Sequence, residues 1–119
     1  MIKKQLKPLT FEELRVKNLQ RCEEVFHPLH SWDECAWFTA LSGELGNYIK
    51  KRRREQADWN GRNGDKELFN LHREDIKKEI GDIACYLDLI ATKFGFRLED
   101  CTRDKFNIVS LRKKSKIKL

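Results

Sequence analysis

At 119 residues the chain reads as one domain, 1–119, large enough for a modest core and small enough that association of copies would add useful burial. No apolar run approaches membrane-spanning length and no charged-then-apolar leader opens the chain, which argues against a membrane partner and for a soluble, cytoplasmic protein. Lys and Arg number 25 against 19 Asp and Glu, and the excess sits in Lys50-Lys51-Arg52-Arg53-Arg54 and in a basic tail at about 112–119. Such runs favour phosphate-bearing partners, although solvated helix ends are the plainer reading.

The expected fold is all-α: an antiparallel bundle of about four helices with almost no strand-like alternation. A capping box, Thr10 with Glu13, opens a first helix carrying Leu14, Leu19, Cys22, Val25 and Phe26 towards the stop at His27-Pro28. A second box, Ser31 with Glu34, opens a helix to about Arg54. Its stripe of Trp37, Ala40, Leu41 and Tyr48 is widened by Phe38, Leu45 and Ile49, so this helix is expected at the centre, packed on more than one side. From Glu55 to Asn70 the chain turns polar, and Asn60-Gly61 and Asn63-Gly64 mark turns. The third helix, about Leu71 to Phe94, places Ile76, Ile80, Ile83, Leu87, Ile90, Ala91 and Phe94 at helical spacing before a Gly95 cap. A fourth runs from about Leu98 to Lys113. Cys22, Cys35, Cys85 and Cys101 lie far apart with no CxxC pair, so reduced, buried thiols are expected rather than a zinc or redox site.

The chemistry begins with two acidic clusters, Gly43-Glu44-Leu45-Gly46-Asn47 and Glu79-Ile80-Gly81-Asp82. At about 100° per residue, Glu44 falls in the middle of the second helix's apolar stripe, where an unpartnered carboxylate is costly. It must be protonated, paired with a cation or bound to a metal. Glu79 borders the third helix's stripe, and Asp82 and Tyr86 follow it at i+3 and i+7, with Asp75 one turn earlier. Ion pairing with the plentiful Lys and Arg would explain either acid alone. Together, carboxylate ligands without His or Cys suit Mg²⁺ or Mn²⁺, with open positions for substrate phosphates.

From Phe26 to Arg112 the chain resembles the MazG-like all-α nucleoside triphosphate pyrophosphohydrolases, in their short single-domain phage and environmental form. The resemblance runs through Phe26-His27-Pro28-Leu29 with Trp32, Thr39-Ala40-Leu41-Ser42-Gly43-Glu44, Lys50-Lys51, Glu79-Ile80-Gly81-Asp82-Ile83, Tyr86-Leu87-Asp88-Leu89-Ile90-Ala91 and Lys105-Phe106-Asn107. It implies that fold, with the bundle completed by dimerisation into a homodimer or homotetramer. The implied reaction is Mg²⁺-dependent hydrolysis of a (deoxy)nucleoside triphosphate to the monophosphate and pyrophosphate. Glu44, Glu79 and Asp82 would be metal ligands, one acid would help activate water, and Lys50, Lys51, Tyr86, Lys105 and Asn107 would contact nucleotide, with Trp32 open to stacking on the base.

The chain departs from the pattern where relatives carry a second Glu. Asn47 stands there, offering an amide oxygen without the charge, and the helix is three residues shorter before Lys50-Lys51. The rival reading is a small basic helical nucleic-acid-binding or regulatory protein without catalysis. It lacks a helix-turn-helix spacing and leaves interior Glu44 unexplained. A structural oligomer with salt-bridged acids is a third.

Overall fold

The computed structural model describes residues 7–57 and 66–119, with side chains described for 7–54 and 70–119. The Asn-Gly turns and Trp59 lie outside the described residues. Four α-helices follow one another: α1 Phe11–Arg21, α2 Glu34–Ala57, α3 Lys66–Lys93 and α4 Leu98–Arg112, and no strand occurs among the described residues.

Local chemistry sets the ends of these helices. Thr10 Oγ1 accepts the Glu13 N–H at 3.1 Å, and Glu12 and Glu13 place negative charge on α1's first turn. α1 continues into one π-helical turn, Cys22–Phe26, closed by the His27 N–H donating to the Cys22 carbonyl at 3.0 Å. A short 3₁₀ turn, Leu29–Ser31, then redirects the chain. The cap of α2 differs from the expected Ser31. Ser31 spends its hydroxyl on the Pro28 carbonyl at 2.6 Å, while Asp33 Oδ1 takes the Ala36 N–H at 2.8 Å. α3 begins at Lys66, inside the segment read as a turn-rich gap, so that gap is shorter than expected.

α2 and α3 pack antiparallel: Trp37 meets Tyr86 at a ring separation of 6.1 Å, and two α2 turns past Glu44, Lys51 meets Glu79. The core gathers Cys22, Leu29, Trp37, Leu41, Leu89 and Ile90, with Leu19, Ile83 and Tyr86 against it. Each leucine or isoleucine among them contributes about 1.5–3 kcal/mol when fully buried. Phe38, Leu45 and Ile49 on α2, and Ile80 and Leu87 on α3, are instead 39–55% exposed, so among the described residues one face of α2 is covered and this one is not. Val25 and Phe26 also remain exposed.

Polar contacts tie the outer helices to this pair. Asn18 of α1 donates to the Cys85 carbonyl at 2.8 Å and to Asp88 Oδ2 at 2.9 Å, and Arg15 pairs with Glu99 of α4 at 2.8 Å. The α3–α4 turn uses Gly95 at φ +79°, with Gly95 N–H on the Thr92 carbonyl and Phe96 N–H on the Ala91 carbonyl. The same arrangement closes α4, with Lys114 at φ +58° in the glycine position and Ser115 N–H on the Ser110 carbonyl. All four cysteines are free thiols, Cys22 buried but Cys35 and Cys101 exposed, so burial holds for one of these and not the others. No helix among the described residues is long and apolar enough to cross a membrane.

Candidate metal centre

The antiparallel register of α2 and α3 brings the two acidic clusters to one place. Glu44, Glu79 and Asp82 each offer a carboxylate oxygen, and these oxygens lie within 4.8 Å of one another. Glu79 is 8% exposed, Glu44 half-buried and Asp82 exposed, so the cluster runs from the helix interface out to solvent.

Glu79 is the pivot. Its Oε1 accepts from Lys51 Nζ at 2.7 Å, while its Oε2 is buried and receives no N–H or hydroxyl donor, the Glu44 carboxyl being the acid within hydrogen-bonding reach of Glu79. The Lys51 ammonium holds the Glu79 carboxyl below the usual carboxylate range. Burial pushes Glu44 the other way, and the adjoining Glu79 and the charge of Asp82 add to the rise. Two ionised carboxylates side by side have only acceptors to offer each other. Either a proton on Glu44 or a cation held between them removes the conflict. The oxygen-only donor set, with an orphaned buried oxygen among the donors, fits a hard divalent ion such as Mg²⁺ or Mn²⁺.

Glu44 and Asp82 also line a cavity of about 200 Å³, shared with Phe26, His27, Trp37 and Tyr86 and with the polar side chains of Asn18 and Arg21. The segment between α1 and α2 is braced against it. Leu29 N–H donates to Glu23 Oε1 at 2.7 Å, Trp37 Nε1 donates to the Leu29 carbonyl at 3.0 Å, and His27 stacks on Trp32 at 4.0 Å. Burial, then the charges of Glu44 and Asp82, hold the Tyr86 hydroxyl above its ordinary pKa, so it is a neutral donor beside the acids.

The other residues picked out by sequence fall as follows. Lys51 is in the cluster as Glu79's ion-pair partner; Lys50 and Asn47 lie exposed on α2. Trp32 stacks on His27 at the edge of the aromatic group, with Trp37 between it and Tyr86. Lys105 lies on α4, beside a separate cleft with Phe106 and Val109. Asn107 is engaged by the tail, its Nδ2 donating to the Leu119 carbonyl at 3.2 Å and its Oδ1 accepting the Leu119 N–H at 2.9 Å. Neither Lys105 nor Asn107 lines the cavity beside the acids. Asn18, Arg21 and Cys85 do line it and carried no motif; Asn18's only hint was a polar residue among apolar α1 positions. Against protein-family models, curated proteins and solved structures alike, the chain finds no match.

Proposed function

We propose that the chain is a Mg²⁺-dependent nucleotide pyrophosphohydrolase that cleaves a (deoxy)nucleoside triphosphate to the monophosphate and pyrophosphate, with Mn²⁺ as a substitute ion. One observation carries the reading: a buried, unpartnered Glu79 oxygen inside a cluster of three carboxylates that opens onto an aromatic cavity. Glu44, Glu79 and Asp82 would hold the ion, and Asn47 would have to turn inward to add its amide oxygen. When bound, the ion offsets charge on the phosphates and makes water a better nucleophile.

The chain's own groups supply the rest. Phe26, His27, Trp37 and Tyr86 form walls suited to a flat base, while Asn18 and Arg21 give that cavity polar and cationic edges. Lys50, exposed on α2 next to the ion-paired Lys51, is the cation that would face the phosphates, with Lys51 adding its charge from its place beside Glu79. A carboxylate of the cluster orients the attacking water and takes its proton as the oxygen bonds to the α-phosphorus. The bond from that phosphorus to the α–β bridging oxygen breaks, and pyrophosphate carries the electron pair away. Association into a homodimer or homotetramer is part of the proposal, supported by the exposed apolar rows on α2 and α3.

Incubation with a panel of nucleoside triphosphates and Mg²⁺, followed by pyrophosphate release, tests this directly. Glu79→Gln and Asp82→Asn are expected to lower turnover by at least about 100-fold with the helical circular dichroism intact. Absence of turnover in the wild type, with a melting temperature indifferent to Mg²⁺ and nucleotide, would sink the enzyme reading. Salt-sensitive DNA binding without hydrolysis would favour the nucleic-acid reading instead.

A further inference from the structure

On the reading of Glu44, Glu79 and Asp82 as a metal site, we propose that Lys51 is the site's resident counter-cation, which a divalent ion must displace from Glu79. Lys51 sits seven residues after Glu44, two turns along the same face of α2, and crosses to α3 to reach Glu79 Oε1 at 2.7 Å. Glu79 thus turns one oxygen to an ammonium and keeps the other buried and unpartnered beside the remaining acids. The ammonium is the cation that Glu44 and Glu79 both feel. A divalent ion on the same carboxylates would stand within a few ångströms of it, and like charges that close repel strongly in a partly buried site.

The fold offers the ammonium another partner. Asp75 lies one turn before Glu79 on the same face of α3, and its charge already acts on Lys51. Lys51 can therefore trade Glu79 for Asp75 while staying at the α2–α3 interface. Without the divalent ion, the ammonium keeps Glu79 ionised and bridges α2 to α3. With it, the same side chain becomes a competitor. The net effect is a site that resists bare ions at low concentration.

The test titrates Mn²⁺ alone, at constant ionic strength, into wild type, Lys51→Met and Lys51→Arg, with free Mn²⁺ followed by electron paramagnetic resonance. Lys51→Met is expected to bind Mn²⁺ about tenfold more tightly than wild type, and Lys51→Arg within about twofold of it. Binding by Lys51→Met where wild type shows none would support displacement equally. Equal or weaker binding by Lys51→Met overturns it and leaves the metal site standing. Absence of binding in every form removes the metal site and the inference with it. Should Lys51→Met fail to fold, amine labelling of the wild type followed by mass spectrometry decides. Mn²⁺ is expected to speed modification of Lys51 several-fold relative to Lys113, and an unchanged rate overturns displacement.

Discussion

A carboxyl group that is 1% exposed needs a donor close at hand, and for Asp88 that donor is Asn18. Burial raises the Asp88 pKa; the Asn18 hydrogen bond and the Arg15 charge oppose the rise, and Glu99 adds to it. The folded-state pKa thus lies above the unfolded one. Stability from this group is complete below the ordinary Asp pKa and is lost as pH climbs through the folded value. Asp88→Asn removes that titration while keeping an acceptor for Asn18. Urea melts at a series of pH values are expected to show this variant gaining on wild type as pH rises above the ordinary Asp range; a pH-independent gap would mean that Asp88 ionises without cost. Asn18→Ala, which strands Asp88, is expected to cost about 2–3 kcal/mol at neutral pH. Asn18 interrupts an apolar row and Asp88 sits between two leucines, but their pairing is not legible in the sequence, since helical periodicity does not join two polar residues 70 positions apart.

At the scale of the helices, the ends are where local chemistry and tertiary demand diverge. Thr10 caps α1 and Gly95 closes α3 as the residue types dictate. Ser31 offered an equally good cap on paper, but the Pro28 carbonyl claims its hydroxyl and Asp33 takes over. α4 closes on Lys114, a β-carbon-bearing residue held at φ +58° where glycine is unstrained. Lys114→Gly is therefore expected to stabilise the chain by about 0.5–1 kcal/mol, raising the melting temperature by a few degrees in calorimetry. A lowered melting temperature would show that the tail beyond Lys114 depends on the lysine side chain. Helical phase put Glu44 inside, and it is half-buried at the α2–α3 interface. The pairing of Lys51 with Glu79 was not readable, because it depends on the register between two helices and not on either helix alone.

The whole molecule shows a core on one side of α2 and an open apolar row on another. Periodicity marks both rows as apolar but cannot say which one a single chain covers, so Phe38, Leu45 and Ile49 were expected inside and are found outside. If these rows meet a second copy, wild type is expected at twice the chain mass or more in light scattering, and Leu45→Glu is expected to shift it to the monomer. A monomeric wild type would refute the association.

The Trp37 indole brings an optical consequence. It is 2% exposed, hydrogen-bonded to the Leu29 carbonyl, and lines the same cavity as Glu44 and Asp82. A protein with Trp32 and Trp59 replaced by Phe would keep one tryptophan, its ring centroid 6.1 Å from that of Tyr86. Its emission maximum and quenching would then read out filling of the cavity, without turnover and without an added label.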